Sequence, residues 1–263
     1  MPEFSVLEIV ILAIVQGIAE FLPISSSGHL VILGAFLGLK DENPTLEIIL
    51  HAGTLGSIFV IYWKRIRDLL MHHRRVIPLL VVGTIPAGIL GVAIKTQAQW
   101  LLGSPALSGA MLIVTGGLLL LLKWLPEGDT EYAKMSYAGA LAIGCFQAFA
   151  LLPGLSRSGA TIVGGRIAGL TREDAVTFSF LLAIPAILGA SVLSAKDLLS
   201  GGTSREQLGL LAMGAAVSFG VGIFALRWLI RWTQQGRLYL FAAWCIPAGI
   251  AVLAMYGLGV FEL

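Results

Sequence analysis

The chain has 263 residues, of which 57% are hydrophobic and 12% are charged, and its formal net charge is +2. Soluble domains carry about 25% charged residues, so this composition excludes an ordinary soluble domain. Several apolar runs reach the roughly 20 residues that a membrane-spanning helix needs. We therefore predict an all-α polytopic membrane protein with one integral membrane domain over residues 1–263. Membrane lipids are its expected surroundings, and no nucleic acid is expected as a partner.

Two of the apolar segments are too short to cross a membrane. In chain order, the segments fall at about 5–22, 30–39, 46–63, 77–94, 106–122, 138–152, 159–170, 175–195, 208–226 and 239–259. The runs at 30–39 and 159–170 each follow a Ser-Xaa-Ser-Gly sequence. The simplest arrangement pairs each of them with the preceding segment as a re-entrant helical hairpin. Non-helical backbone at membrane depth is tolerated where protein or a wet cavity surrounds it, so we expect both breaks to line a cavity.

The sequence also contains an internal repeat, seen when it is shifted by 131 positions. Gln16 then falls on Gln147 and Ser25 on Ser156, and identical residues also meet at Ala19, Ser27, Gly28, Gly34, Gly38 and Leu39. The two repeats, about 5–126 and 136–259, each predict one re-entrant hairpin plus three transmembrane helices, which makes six full spans. Because three crossings change sides, the second repeat enters from the opposite face. Such inverted-topology repeats typically place a site near the midplane, between the repeats.

The distribution of lysine and arginine predicts the orientation. One predicted loop holds Lys64, Arg65, Arg67, Arg74 and Arg75. The other loops on that side hold Lys123, Lys134, Arg172, Arg227, Arg231 and Arg237, and the opposite loops hold fewer basic residues, namely Lys40, Lys95, Lys196 and Arg205. The basic side is expected to be cytoplasmic. Both termini then lie outside, and the site opens to the outer face.

The first break carries most of the polar groups. Glu20, three hydroxyls at Ser25, Ser26 and Ser27, and His29 lie between apolar runs. Ionisable groups at membrane depth are costly and are functional-site hypotheses by default. The helix that begins near Gly28 offers free backbone N–H groups, which bind anions, and the serines add hydroxyl donors.

The second break repeats this pattern and adds a cation. Ser156, Ser158 and Gly159 match the serines and glycine of the first break, and Arg157 lies among them. The planar fork of arginine suits phosphate. Two opposed helix N-termini and one guanidinium predict a pocket for phosphate or carboxylate.

Glu20 beside an anion site suggests a divalent metal between the carboxylate and a phosphate. Gln16, one helical turn earlier, is expected to orient Glu20 or a metal-bound water. His29 could be the base for a Ser26 nucleophile, could activate water or could attack phosphorus, and the sequence leaves these three open. The competing structural interpretations are helix caps, a hydrogen-bonded histidine, a protonated Glu20 and an Arg157–Glu20 pair. Glu47 and His51 are four residues apart on a helix; they could rim the outer mouth, but a packing pair is the favoured interpretation.

Two stretches resemble the signatures of a known family, the undecaprenyl-diphosphate phosphatases of the bacitracin-resistance type. They read Gln16-Gly-Ile-Ala-Glu20-Phe-Leu-Pro-Ile-Ser-Ser-Ser-Gly-His29 and Pro153-Gly-Leu-Ser-Arg-Ser-Gly-Ala-Thr161. The resemblance covers nearly the whole chain. That family has Glu or Gln at the first position, so a direct metal bond from Gln16 stays open.

The resemblance implies an enzyme of the bacterial cytoplasmic (inner) membrane. It would remove the terminal phosphate of an isoprenyl diphosphate lipid left by cell-wall synthesis, giving the monophosphate carrier and inorganic phosphate, with Mg²⁺ or Ca²⁺ as cofactor. The functional positions that it implies are Gln16, Glu20, Ser25, Ser26, His29, Ser156, Arg157 and Thr161. A secondary transporter or flippase for an anionic lipid or solute is the alternative, because inverted repeats with re-entrant breaks are typical of transporters. A homodimer is compatible with the sequence.

Overall fold

A computed structural model describes residues 5–37, 44–200 and 205–261. Eleven α-helices form these ranges: α1 Val6–Ala19, α2 Ser26–Phe36, α3 Pro44–Ile61, α4 Trp63–Met71, α5 Val76–Gln97, α6 Pro105–Leu121, α7 Tyr137–Phe149, α8 Arg157–Ile167, α9 Arg172–Ser200, α10 Arg205–Gln234 and α11 Ala242–Gly257. Short 3₁₀ turns lie at Gln99–Leu101, Tyr132–Lys134 and Leu238–Phe241. The all-α prediction is confirmed, and α2 and α8 are the two short helices that follow the serine-rich breaks.

Within the described ranges, four helices are long and apolar enough to cross a membrane. They are Val76–Gln97, Arg172–Ser191, Leu208–Gln234 and Leu238–Gly257, and the bent pair Thr45–Ile61 and Trp63–Met71 makes a fifth. The outward stripe of α5 at Ile77, Val81, Ile85 and Ile89 is 39–69% exposed. A row of exposed aliphatic side chains at this spacing fits a lipid-facing helix surface. The chain is therefore a multi-pass membrane protein.

The basic segment after α3 differs from the sequence prediction. Residues 64–71 form most of α4 rather than a loop, and α4 is bent by 71° from α3. Leu69 is buried and Ile66 packs against the core, so the apolar side chains of α4 hold it to the protein while its basic ones lie outward. Arg227 and Arg231 were also predicted in a loop and instead lie on α10, which continues to Gln234. Both corrections have one cause, because an amphipathic helix can continue past the apolar run that defines a span.

The core forms where helices from distant parts of the chain pack in pairs. The main pairs are α6 with α11, α3 with α10, α5 with α7 and α1 with α10. A Cβ at Gly144 on α7 would lie 2.5 Å from the carbonyl oxygen of Gly83 on α5, so this pair approaches closely because neither position has a side chain. Phe180 lies between Phe21 and Tyr62, with ring centroids 5.6 and 6.0 Å away. These rings place a packed aromatic core directly beside the first break.

The start of α9 is fixed by a polar cluster. The Asp174 N–H donates to Thr171 Oγ1 at 3.1 Å, so Thr171 caps the N-terminus of α9. Glu127 accepts from Arg166 Nη1 at 3.0 Å and pairs with Arg172 Nε at 2.7 Å. The small desolvation of Glu127 acts to raise its pKa, but the Arg172 N–H and the two guanidiniums outweigh it and lower the pKa. This cluster joins the loop after α6 to the α8–α9 connection.

Candidate active site

The first break is built around an unusual backbone conformation at Ser25. Its φ of +70° is in the left-handed region, and among the described residues no other non-glycine residue has a positive φ. The Ser25 hydroxyl accepts from the Gly28 N–H at 3.3 Å and so caps α2. Strained backbone of this kind persists where the surroundings over-determine it. The turn lets the chain leave α1, reverse and begin α2 at Ser26.

The second break has the same cap without the strained serine. The Ser156 hydroxyl accepts from the Gly159 N–H at 3.1 Å, and the positive φ of +91° falls on Gly154. Thr115 on α6 holds this turn, because its hydroxyl donates to the Gly154 carbonyl at 2.8 Å and accepts from the Ser156 N–H at 3.0 Å. The start of α8 is therefore fixed to α6.

The two breaks lie directly against each other. The Gly154 N–H donates to the Ser25 hydroxyl at 3.1 Å. A Cβ added at Gly28 would lie 2.6 Å from the Gly154 Cα, and one at Gly159 would lie 3.3 Å from the Cβ of Pro23. Glycine at position 28 is therefore required for this approach. As a result, the first turns of α2 and α8 face one region of the protein.

Glu20 is the centre of that region. Its side chain is 4% exposed, and Arg157 Nη2 donates to its Oε1. Ser26 Oγ donates to Oε2 at 2.7 Å, and Gln16 Nε2 donates to the same oxygen at 3.0 Å. His51 Nε2 lies 3.3 Å from Oε2. The carboxylate therefore joins α1, α3 and the starts of both short helices, and the predicted orienting role of Gln16 agrees with this contact.

The interpretation of His51 as a packing partner of Glu47 is wrong. His51 Nδ1 bonds to the Glu47 backbone carbonyl at 2.8 Å, not to its carboxylate, and Nε2 faces Glu20. Because a carbonyl can only accept, Nδ1 carries a proton. The contact of Nε2 with a carboxylate oxygen is then favourable when a second proton lies between them. His51 is thus a site residue that the sequence analysis missed. An intramembrane histidine was the available signal, but its partner depends on how α3 packs beside α1.

The suggested Ser26–His29 pair is not formed. His29 Nδ1 donates to the Ser25 carbonyl at 2.8 Å, and Nε2 accepts from the indole N–H of Trp244 at 3.0 Å. The Ser26 hydroxyl donates to Glu20 instead. Since Ser26 opens α2, its side chain turns back to the end of α1, whereas His29 lies one turn further along. The acceptor for the Ser26 proton is therefore a carboxylate and not an imidazole.

Several predicted phosphate-binding hydroxyls are used within the protein. Ser25 and Ser156 are buried caps, and Ser158 Oγ donates to the Leu22 carbonyl at 3.4 Å. Thr161 Oγ1 donates to the Arg157 carbonyl at 2.7 Å and lies 2.6 Å from the Ser179 hydroxyl on α9. These contacts stiffen the two breaks. The first N–H groups of α2 and α8, at Ser26, Ser27, Arg157 and Ser158, lie where a helix leaves its donors without intrahelical acceptors.

Two polar atoms in this region have no hydrogen-bond partner within the described ranges. Arg157 Nη1 is an unused donor, and Gln16 Oε1 is an unused acceptor. A guanidinium nitrogen suits an anion and an amide oxygen suits a hard cation. In the same ranges, no three His, Cys, Asp or Glu side chains gather as a metal cage. Glu20 and Gln16 supply oxygens of the kind that a hard cation such as Mg²⁺ takes, and the Glu20 oxygens would have to exchange one of their present partners to bind it.

An all-helical membrane chain with a buried Glu–Arg pair between two facing helix N-termini defines a class, a multi-pass membrane protein with a buried charged site. Residues 9–251 match the family described as bacitracin resistance protein BacA, and the chain belongs to that family. It is 62% identical to the undecaprenyl-diphosphatase of Rhodopirellula baltica, covering 95% of this chain and 98% of that protein. It is 38% identical to the undecaprenyl-diphosphatase of Halothermothrix orenii (97% and 99% covered) and 41% identical to that of Desulfosudis oleivorans (91% and 94%).

Proposed function

We propose that this chain hydrolyses undecaprenyl diphosphate to undecaprenyl phosphate and inorganic phosphate and so recycles the lipid carrier for cell-wall synthesis. The observation that carries the proposal is the convergence of Ser26 and Arg157, from two separate breaks, on the buried Glu20 carboxylate. The names of its relatives, which cover nearly the whole chain, support the same substrate.

In this proposal Arg157 and the N-termini of α2 and α8 neutralise the negative charge of the diphosphate. Phosphoryl transfer depends mainly on positioning and on stabilising charge on the phosphoryl oxygens. Arg157 Nη1 is unpartnered while Nη2 is held by Glu20, so the guanidinium is already oriented and still has a donor for phosphate. The N–H groups that open α2 and α8 supply further donors with the favourable end of each helix dipole. These groups hold the diphosphate with its terminal phosphorus beside Ser26.

The Ser26 hydroxyl is the nucleophile in this proposal, with Glu20 as its base. Ser26 Oγ donates to Glu20 Oε2 at 2.7 Å, within the range for direct proton transfer. Oγ forms a bond to the terminal phosphorus, the bond from phosphorus to the bridging oxygen breaks, and undecaprenyl phosphate leaves while the serine proton passes to Glu20. Water then attacks the phosphoserine and inorganic phosphate leaves with both water protons. Glu20 returns its proton to the serine oxygen, which restores the serine hydroxyl and the Glu20 carboxylate.

Gln16 and Glu20 are the residues that would hold a divalent cation, Mg²⁺ or Ca²⁺. Gln16 Oε1 has no hydrogen-bond donor among the described residues, and Glu20 supplies the charge. Such a cation, when bound, neutralises diphosphate charge. Gln16 also keeps the Glu20 carboxylate oriented through its Nε2 hydrogen bond of 3.0 Å.

The proposed architecture has two inverted repeats, with hairpins α1–α2 and α7–α8 and six spans, α3, α5, α6, α9, α10 and α11. Support comes from the bounds of the short helices, since α2 and α8 each have 11 residues and begin 131 positions apart. It also comes from packing, because α1 lies against α10 and their repeat equivalents α7 and α5 lie against each other. In the inner membrane, the excess of basic residues near α4 orients this side to the cytoplasm. Both termini are then outside, and the site opens to the outer face.

Phosphate release by purified protein tests the function. The protein in detergent is mixed with undecaprenyl diphosphate and Mg²⁺, and free phosphate is measured. We expect multiple turnovers, no release with chelator, and recovery when Mg²⁺ or Ca²⁺ is added back. A transporter or flippase binds the same head group without breaking it, so binding without any phosphate release would contradict the proposed function. Phosphate release in chelator would contradict the proposed cation alone.

A further inference from the structure

Trp244 is held to the site by a specific contact with His29. Its indole N–H donates to His29 Nε2 at 3.0 Å, and the two rings are nearly parallel, with an interplanar angle of 14° and centroids 6.1 Å apart. His29 Nδ1 is simultaneously bonded to the Ser25 carbonyl at 2.8 Å. Both nitrogens of the imidazole are therefore engaged, and its orientation is set jointly by the first break and by α11.

The rest of the Trp244 side chain faces away from the protein. It is 56% exposed. Helix α11 packs chiefly against α6, and α2 packs against α1 and also against α6. A second ring contact, Phe36 with Phe261, joins the far end of α2 to the segment after α11 at 5.1 Å. Trp244 is thus an exposed apolar side chain directly beside His29, and two ring contacts connect α2 with α11 and with the segment after it.

We propose that Trp244 positions His29 and seats the first isoprene units of the substrate where the chain leaves the diphosphate site. This inference rests on the proposed function. The substrate is amphiphilic, so its diphosphate lies in the polar region while its chain must pass sideways into lipid. The Trp244 side chain is amphipathic in the same way, because its polar N–H is directed to the site and its apolar ring to lipid. Tryptophan combines a large apolar surface with one hydrogen-bond donor, which suits such a boundary.

Two substitutions separate the two parts of this role. Trp244→Phe keeps an aromatic face but removes the N–H that holds His29 against the Ser25 carbonyl. The turn that carries Ser26 is then held less firmly, so kcat should fall several-fold while KM for undecaprenyl diphosphate stays near the wild-type value. Trp244→Ala removes the face as well, so KM should rise about tenfold, the scale seen when an anchoring aromatic is truncated. A substrate without an isoprenyl chain, inorganic pyrophosphate, should show no such rise in KM. The exposed Trp124, beyond the end of α6, gives the matched control Trp124→Ala, for which both constants should stay unchanged.

A binding measurement keeps the test independent of turnover and of the stability of the alanine variant. A farnesyl diphosphate analogue with a photoreactive group on its first isoprene unit is irradiated with the wild-type protein, and the labelled peptides are sequenced. We expect labelling of the α11 segment around Trp244, reduced by excess undecaprenyl diphosphate. If wild-type protein releases phosphate but labelling falls elsewhere, or both Trp244 variants match Trp124→Ala, the inference is wrong while the proposed function stands. Absence of phosphate release by the wild type would instead refute the proposed function.

Discussion

Replacing Arg157 with methionine removes the charge that faces Glu20 while keeping much of the side-chain volume. Arg157 is the sole donor to Glu20 Oε1 among the described residues, because Ser26, Gln16 and His51 all contact Oε2. The Glu20 side chain is 4% exposed and that of Arg157 is 17% exposed, so water replaces the lost donor poorly. Breaking a buried pair in this way costs about 3–5 kcal/mol of stability. Phosphate release should fall by about 10³–10⁵, the range for removing an arginine that stabilises a transferring phosphoryl group.

The double variant Arg157→Met with Glu20→Gln separates folding from chemistry. Since both charges are removed together, no buried charge is left unpaired, and most of the lost stability should return. Activity should stay absent, because the phosphate donor and the base are both missing. The assays are thermal unfolding of the protein in detergent and phosphate release from undecaprenyl diphosphate. Arg157→Lys keeps the positive charge but lacks the planar guanidinium, so it should be slightly more active than Arg157→Met and far less active than the wild type.

Turnover of the Arg157→Met protein at the wild-type rate would show that the Arg157 guanidinium has no part in binding phosphate. A double variant as unstable as the single one would show that the cost comes from lost packing and not from an unpaired carboxylate.

Three further predictions concern the surroundings of the site. His51→Ala should lower kcat about 10–100-fold in the phosphate assay, the scale for losing a group that orients an active-site ligand. His51→Gln keeps a hydrogen-bond donor and should retain most of the wild-type kcat. Equal losses in the two variants would contradict the positioning role. Gly28→Ala should destabilise the protein by about 1–3 kcal/mol because its Cβ would lie 2.6 Å from the Gly154 backbone, whereas Gly34→Ala on the same helix, with nothing within 4 Å, should melt like the wild type. The pKa of Glu127 is lowered on folding, so its small stabilising contribution is present above the usual value of 4.5 and is lost as the pH falls from there through the lower folded-state pKa. Thermal unfolding should therefore show a shallower decline toward acid pH in Glu127→Gln than in the wild type, and parallel curves would refute the assignment.

The helical architecture could be predicted because membrane helices are specified locally. Each needs a run of apolar residues, and the two short runs after Ser25 and Ser156 were recognised by length and by their Ser-Xaa-Ser-Gly caps. Local rules also explain why the basic residues of α4 and of the end of α10 were predicted to lie in loops. The apolar run gives the part of a helix that lies in lipid, while α4 and the last turns of α10 are amphipathic and depend on packing against the core. A pattern of charge alone did not distinguish such a helix from a basic loop.

The sequence indicated which polar residues to consider for the site but not which of them bond to one another. This difference has a physical cause. Polar and ionisable residues are costly in a membrane and therefore conspicuous among apolar segments. For this reason Glu20, Ser26, His29 and Arg157 could be selected without a structure. Which of them bond together depends on long-range packing: α3 brings His51 to Glu20, and α11 brings Trp244 to His29. The carboxylate consequently has the serine hydroxyl as its donor, and the histidine predicted beside that serine is held by an indole. A buried carboxylate with four partners is rigidly oriented before any phosphate arrives, and this preorganisation is what lets so few polar groups act at membrane depth.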